Sequence, residues 1–291
     1  MKNIVLRATA SNDDIRVFVA NTTQMVEEAR KIHNASPVAI AALGRTMTAT
    51  SIMGLMLKHE GQKVTVRING KGELGPIVVV SDDMGLVKGY VSNPQVEGSN
   101  IRPGKLNVGE AVGKDGDITV TRDLGLKEPY SGTYKLATGE IAEDFASYFF
   151  YSEQTPSVVA LGVLVDTDYT VKAAGGFIIQ VLPGTDEETI IKLEDKIATL
   201  ESITTLMEKG FTEEDILNHV LGDFGVKILD RNEVAFECDC SVERFERALI
   251  SLGKNEIEDI IREDKGAELH CHFCNHKYFF DEEHLLSLCP K

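Results

Sequence analysis

The sequence contains no long uninterrupted hydrophobic run, and this absence excludes two classes of protein. Residues 1–20 alternate charged and apolar side chains and lack the apolar core of a secretory signal. The longest apolar stretch, residues 37–57, contains Arg45 and several threonines, which is typical of a buried helix and not of a membrane span. We therefore expect a cytoplasmic protein without membrane association. In that compartment, paired cysteines are more often metal ligands or redox-active thiols than structural disulfides.

Positive charge is also scarce. The chain of 291 residues has 46 acidic residues against 30 lysines and arginines, a net charge of −16. The excess lies in residues 184–291, which contain 26 acidic and 12 basic side chains. Nucleic-acid binding requires a basic surface that neutralises phosphates, so a zinc module that binds DNA or RNA is not expected. Self-repulsion among the carboxylates also predicts a marginally stable segment unless another bond holds it together.

The sequence offers no recognisable catalytic motif. Serines and carboxylates are plentiful, but none stands in a nucleophile or acid–base arrangement. Residues 70–75 match the spacing G-x-G-x-x-G, yet Pro76 and the strand-like residues 77–80 stand where a dinucleotide site needs a helix. We therefore predict a glycine-rich turn at this point and a protein that is not an enzyme.

The hydrophobic pattern predicts an α+β fold for an N-terminal domain, residues 1–183. Short β-rich pieces between residues 62 and 135, separated by turn residues, indicate hairpins and a largely antiparallel sheet. A buried central helix is expected to start at Pro37. The expected elements are, in chain order, strands at 4–9 and 15–20, helices at 21–33 and from residue 37, strands at 63–68, 77–81, 87–92, 118–121 and 133–136, a helix at 140–150, and strands at 158–165 and 177–182.

A helical linker, residues 184–230, is expected next. Residues 185–188 have the spacing of a capping box, and apolar residues at intervals of three or four over 190–207 predict one amphipathic helix that ends at Gly210. A second capping box at residues 212–215 starts a shorter helix. An amphipathic helix needs a surface that covers its apolar side, so we expect the linker to dock.

The last predicted part is a small C-terminal zinc-binding domain, residues 231–291. A strand pair at 226–229 and 234–236 is expected to lead into it, and two short helices follow at 241–252 and 256–263. A hairpin then completes the domain. About sixty residues form too small a core to be secure without help.

Four of the five cysteines form two close pairs, Cys238 with Cys240 and Cys271 with Cys274. Residues two apart in a strand point to one face, and a C-x-x-C turn also brings two sulfurs together. One tetrahedral Zn²⁺ per chain can therefore bind all four thiolates. The same thiolates can be oxidised, so the zinc site is either a structural staple or a redox sensor. Cys289 is expected to be an unpaired thiol.

Other interpretations of these thiols remain open. His270, His272 and His276 lie around the second pair, so three cysteines and one histidine could form the site. A thiol–disulfide oxidoreductase would need an activated thiolate at a helix N-terminus, but no βαβ pattern places Cys271 there.

Several motifs together resemble the redox-regulated 33-kDa heat-shock chaperone family of bacteria, nearly from end to end. The matching stretches are residues 69–72 (NGKG), 75–76 (GP), 89–90 (GY), 128–132 (EPYSG), 152–156 (SEQTP), 175–177 (GGF) with Gln180, 183–184 (PG), 238–241 (CDCS) and 271–275 (CHFCN). Lys88 stands where an arginine is expected, and this substitution keeps the charge.

The resemblance implies an ATP-independent holdase that is inactive while reduced and zinc-bound. It implies that oxidation, typically with heat, forms the disulfides Cys238–Cys240 and Cys271–Cys274, releases zinc and unfolds the linker. It further implies a homodimer, at least in the activated form, and unfolding client proteins as partners. The N-terminal α+β domain, helical linker and C-terminal zinc domain agree with the family's architecture.

Overall fold

The computed structural model describes residues 2–102 and 105–289. Contacts divide the chain into two units, Met1–Glu237 and Cys238–Lys291. Residues 184–230 therefore belong to the same compact unit as the predicted N-terminal domain. The three-part division of the chain stays a prediction, and each unit is described below by itself.

The first unit consists of two five-stranded antiparallel sheets, one short strand pair, a central helix and several covering helices. Its strands are β1 (Ile4–Ala10), β2 (Ile15–Asn21), β3 (Lys63–Asn69), β4 (Ile77–Asp82), β5 (Val87–Val91), β6 (Asn100–Arg102), β7 (Lys105–Leu106), β8 (Asp117–Asp123), β9 (Tyr130–Lys135), β10 (Ser157–Val165), β11 (Val171–Val181) and β12 (Lys227–Glu233). Its helices are α1 (Thr23–His33), α2 (Pro37–Gly54), α3 (Val108–Val112), α4 (Ala142–Tyr151), α5 (Glu187–Ala198), α6 (Ile203–Glu208) and α7 (Glu213–Leu221).

The two large sheets explain the α+β character that the sequence predicts. The first has the strand order β10-β11-β2-β1-β12, and the second has the order β5-β4-β3-β8-β9. Neighbouring strands within each run antiparallel. The predicted fold class is confirmed, including the largely antiparallel sheet. The short helix α3 and the small β6–β7 pair were not predicted, because five or fewer residues give too little periodicity to recognise.

Helix α2 is the predicted buried central helix. Ser36 caps it, accepting a hydrogen bond from the backbone N–H of Ala39, and every residue from 38 to 54 except Arg45 is buried. The threonine hydroxyls at 46, 48 and 50 donate to backbone carbonyls four residues earlier, which satisfies these polar groups inside the core. Arg45 pairs with Glu140 at 2.9 Å. Within residues 2–102 and 105–289, no helix is long and apolar enough to cross a membrane.

The glycine-rich residues 70–75 form the connection between β3 and β4, as predicted. A side chain at Gly70 or Gly72 would collide with backbone carbonyls, among them the carbonyl of Val112 beside Gly70. These glycines therefore allow a close approach of two backbone segments. A strand follows the turn, so the helix that would receive a dinucleotide is absent from this described stretch.

The acidic segment after residue 184 docks on the first sheet. Apolar side chains from α5, α6 and α7 form one buried cluster with side chains from β1, β2 and β11. The buried members are Leu6, Ala8, Ala10, Ile15, Val17, Val19, Phe177, Ile179, Leu193, Ile203, Leu206, Ile216, Leu217, Val220, Leu221 and Phe224. We call this set the docking cluster. It is the surface that the predicted amphipathic stripe requires, and it keeps that stripe out of water.

The single long helix predicted over residues 190–207 is wrong, because the chain forms two helices there. Helix α5 ends at Ala198, and Ser202 caps α6 by accepting a hydrogen bond from the backbone N–H of Thr205. A serine at this place competes for backbone groups and favours a new helix start over continuation. The cap of α5 is Asp186 and not the predicted Thr185, whose hydroxyl donates to the carbonyl of Leu182 instead.

The predicted strand pair at 226–229 and 234–236 is also wrong. Residues 227–233 form the single strand β12, which pairs with β1 at the edge of the first sheet. The following residues run alongside β5: the backbone N–H of Val87 donates to the carbonyl of Ala235, and the N–H of Glu237 donates to the carbonyl of Val87. The partner of β12 lies more than two hundred residues away, so local patterning cannot identify it.

We predict that Thr212→Ala destabilises the docked segment by about 1 kcal/mol. The capping box at residues 212–215 is confirmed: the Thr212 hydroxyl accepts from the N–H of Asp215, whose carboxylate accepts from the N–H of Thr212. Removing the hydroxyl leaves one helix N–H without that partner. Hydrogen exchange should quicken in α7 and not in α2; unchanged exchange in α7 would contradict the prediction.

The second unit is small and has its own core. It contains α8 (Val242–Leu252), α9 (Lys254–Asp264), β13 (Gly266–His270), β14 (Lys277–Asp281) and α10 (Glu282–Leu288). The two short helices and the hairpin are confirmed, whereas α10 was not predicted. Asp281 caps α10 by accepting from the N–H of His284. The fully buried side chains are Leu249, Ile257, Phe280 and Leu285, with partly buried neighbours around them.

Candidate metal centre

The first cysteine pair lies immediately before α8. Ser241 caps this helix, and its side chain accepts a hydrogen bond from the N–H of Arg244. Arg244 also pairs with the carboxylate of Asp239 at 2.8 Å, between the two cysteines. The helix cap and this ion pair thereby fix the segment that carries Cys238 and Cys240 at the start of α8.

The second cysteine pair occupies the loop of the β13–β14 hairpin. The backbone N–H of Cys271 donates to the carbonyl of His276 at 2.9 Å, and the N–H of Asn275 donates back to the carbonyl of Cys271 at 2.8 Å. Asn275 adopts a left-handed backbone with φ of 58°, which asparagine tolerates better than most residues. This tight loop directs Cys271 and Cys274 to the same side.

The structure brings all four predicted cysteines together. Their sulfur atoms lie within 4.8 Å of one another. The Sγ atoms of Cys238 and Cys271 are 3.6 Å apart, and those of Cys240 and Cys274 are 3.4 Å apart. Zn–S bonds of about 2.3 Å in a tetrahedron require sulfur separations of about 3.8 Å, so the four sulfurs fit the ion. The arrangement can hold a metal ion of zinc type.

All five cysteines are free thiols in this structure. The sulfur pairs Cys238–Cys271 and Cys240–Cys274 each join one cysteine of each segment and lie far beyond the ~2.05 Å of a disulfide bond. Cys289 packs beside the small core, with its Sγ 3.8 Å from the carbonyl of Leu285, and it does not belong to the cluster. That it is an unpaired thiol stays a prediction.

The histidines near the second pair make other contacts. His270 is exposed and pairs with the carboxylate of Glu268, while the ring of His276 lies 4.6 Å from the ring of Tyr278. His272 is exposed as well. The cluster of metal-ligating groups consists of four sulfurs without a histidine, so the geometry favours the four-cysteine site over the mixed one.

Burial and hydrogen bonds act differently on the individual thiols. Burial is the largest cause that raises the pKa of Cys238 well above its usual range, and it raises the pKa of Cys274 to about 11. Burial acts in the same direction on Cys240, but hydrogen bonds from Tyr278 and the neighbouring thiols outweigh it and lower the pKa of that thiol. The two thiols whose pKa is raised, those of Cys238 and Cys274, are costly to ionise without a cation, which favours a site in which a metal supplies the positive charge.

Tyr278 is a site residue that the sequence interpretation missed. Its hydroxyl donates a hydrogen bond to the Sγ of Cys240 at 3.1 Å. The spacing C-x-x-C-x-x-x-Y places this residue on β14, at the pairing position opposite Leu269. The tyrosine four residues after Cys274 was visible in the sequence, but only the hairpin register and the approach of the first cysteine pair make it a neighbour of Cys240.

Comparisons with known proteins agree on one family. Residues 3–281 match the family model described as Hsp33 protein. The chain is 65% identical over 288 residues to the 33 kDa chaperonin of Alkaliphilus oremlandii, covering 99% of this chain and 96% of that protein. It is 56% identical to the 33 kDa chaperonin of Clostridioides difficile, covering 99% of each. The crystal structure of the 33 kDa chaperonin (heat shock protein 33 homolog) from Thermotoga maritima superposes with a TM-score of 0.91 at 36% identity, covering 99% of this chain and 98% of that one.

Proposed function

The chain belongs to the Hsp33 protein family, and from this premise we propose that it is a heat-shock chaperone controlled by oxidation of its four-cysteine cluster. The observation that carries the proposal is the set of four free sulfurs within 4.8 Å, contributed by two segments of a unit with very few fully buried side chains. The proposed activity is that of an ATP-independent cytoplasmic holdase. Its partners are unfolding client proteins, and it neither catalyses a reaction nor binds nucleic acid.

In the reduced state, Cys238, Cys240, Cys271 and Cys274 would hold one Zn²⁺ per chain. The ion supplies a cross-link between the two segments, worth roughly 10–16 kcal/mol in small zinc modules. The fully buried core of this unit is small, so we infer that its folded state depends on that cross-link.

Oxidation replaces the cross-link with bonds that no longer join the two segments. In each pair the thiolates lose two electrons to the oxidant, for example hydrogen peroxide, which is reduced to water with proton uptake. The proposed products are the disulfides Cys238–Cys240 and Cys271–Cys274. Each disulfide joins two cysteines of the same segment, so neither one links the segment at residue 240 to the segment at residue 271. The oxidised sulfurs no longer bind the metal, and the unit unfolds.

Unfolding is proposed to spread backwards along the chain. Cys238 directly follows residues 234–237, which hydrogen-bond to Val87 and, through Val234, to Asn3. Strand β12 immediately precedes these residues in the chain, and the helices that contribute to the docking cluster precede β12. Loss of this packing would expose apolar side chains that can bind unfolded polypeptide. The net charge of −16 would keep the chain in solution while that surface is exposed. Dimerisation of the activated form would enlarge the surface.

The test treats the reduced, zinc-loaded chain with hydrogen peroxide at elevated temperature. We expect release of one zinc per chain, loss of four of the five free thiols, and suppression of client aggregation measured by light scattering. Zinc release without suppression would reject the holdase and leave a structural zinc module. Catalytic turnover of a disulfide substrate would favour a thiol–disulfide oxidoreductase, whereas a holdase acts stoichiometrically.

A further inference from the structure

The hydroxyl of Tyr278 is held in contact with one sulfur of the cluster by the packing of its ring. The ring centroid lies 4.6 Å from that of Phe245 on α8 and 4.6 Å from that of His276. The backbone of Tyr278 is fixed by pairing of β14 with β13. The hydroxyl therefore reaches the Sγ of Cys240, at 3.1 Å, from a side chain with little freedom to move away.

The sulfur of Cys240 differs from those of Cys238 and Cys274 in the kind of group that donates a hydrogen bond to it. Cys238 accepts from the backbone N–H of Cys240, and Cys274 accepts from the backbone N–H of His276. Those donors belong to the turns that form the site. The donor to Cys240 is a side-chain hydroxyl, so it can be removed by a substitution that keeps the ring and the turn.

We propose that Tyr278 is a positioning residue that restrains the oxidation of Cys240 and so sets the oxidant threshold of the cluster. This inference rests on the proposed function, in which these thiolates are the sensor. A thiolate attacks peroxide with a sulfur lone pair: an S–O bond forms, the O–O bond breaks, and hydroxide leaves. A hydroxyl that donates to the sulfur withdraws electron density from the attacking atom and occupies a direction of approach.

The second step completes the disulfide and defines the electron balance. The partner thiolate, Cys238, attacks the sulfur of the sulfenic acid on Cys240, and the oxygen leaves as hydroxide, which is protonated to water. Two electrons pass from the two sulfurs to one peroxide over both steps. Tyr278 acts on the first step, because its hydrogen bond to Cys240 must weaken before that sulfur can attack the peroxide.

The test compares the zinc-loaded full chain with its Tyr278→Phe variant. Phenylalanine keeps the ring contacts with Phe245 and His276 and removes only the hydroxyl. A lost hydrogen bond of ordinary strength corresponds to roughly a 2- to 10-fold faster first step. Peroxide-driven zinc release, followed with a chromogenic chelator, should quicken by that factor. In mass spectra of quenched samples of the variant, the peptide that contains Cys240 should become oxidised before the peptide that contains Cys271 and Cys274.

A spectroscopic readout separates tuning of the sulfur from a general loss of stability. Both proteins are loaded with Co²⁺ in place of zinc, and the sulfur-to-cobalt charge-transfer band is recorded. The band should move to longer wavelength in Tyr278→Phe, because a sulfur without its donor is more electron-rich. The matched control is Tyr134→Phe, a tyrosine whose ring stacks on Tyr151 in the first unit, and it should change neither the band nor the rate.

The outcomes distinguish this inference from the proposed function. Stoichiometric Co²⁺ binding with an unchanged band and an unchanged rate in Tyr278→Phe overturns the role of the hydroxyl and leaves the sensor intact. Loss of stoichiometric binding in the variant also overturns it, because the hydroxyl would then serve metal retention. Failure of the unaltered chain to bind one metal per chain would instead reject the proposed function itself.

Discussion

Replacing Cys271 with serine is expected to abolish zinc binding and to unfold the C-terminal unit without any oxidant. Cys271 is the buried member of the cluster, with 5% of its surface exposed, and its backbone closes the hairpin loop through the carbonyl of His276. A serine hydroxyl stays protonated at neutral pH and is a poor zinc ligand, so the site loses a ligand and a charge. The stabilisation at stake is roughly 10 kcal/mol or more, which exceeds what the small core of this unit can supply.

The consequence can be measured in three ways on the full chain. Metal analysis should find much less than one zinc per chain, and amide exchange should become fast throughout α8, α9 and the β13–β14 hairpin. The reduced variant should also suppress client aggregation without peroxide. Cys289→Ser is the matched control, because that thiol lies outside the cluster. A Cys271→Ser chain that keeps slow exchange in α9 would contradict the dependence of this unit on metal.

Local chemistry made a large part of the candidate site predictable. Helix starts can be recognised from a few neighbouring residues, as at Thr212, where the cap bonds lie within four residues, and at Pro37, where a proline occupies the first turn. The cysteine spacing was equally informative, since tetrahedral ligation by two short motifs imposes a narrow geometry. The predicted hairpin around Cys271 and Cys274 is confirmed for the same reason: its pairing needs only a few residues on either side.

Features that depend on distant contacts could not be predicted in this way. Strand β12 pairs with β1, and its sequence has charged residues at most positions because it lies at an exposed edge. The break between α5 and α6 comes at the cap residue Ser202, but the apolar spacing continues through it because both helices pack on the first sheet. The contact of Tyr278 with Cys240 joins residues 38 positions apart and needs the whole unit to be folded.

Leu217→Asp is expected to give the reduced, zinc-loaded chain aggregation-suppressing activity. Leu217 on α7 is fully buried in the docking cluster, where truncation of a leucine to alanine alone costs about 2–5 kcal/mol. A carboxylate at that position adds an unpaired buried charge beside an already acidic segment. We therefore expect α7 and its neighbours to leave the first sheet, which should appear as faster amide exchange in α5–α7 and as reduced light scattering of a denaturing client.

Ile191→Asp is the matched control for this prediction, because Ile191 on α5 is 52% exposed and the new carboxylate stays in water. Both variants add one negative charge to the same segment, so a difference between them reports loss of docking and not a change in net charge. Zinc content should stay at one per chain in both. If Leu217→Asp frees the helices and still fails to hold clients, the docking cluster is not the client-binding surface. If it holds clients with zinc still bound, the cysteine cluster acts only as the sensor, and the activity resides in the surface that the linker covers.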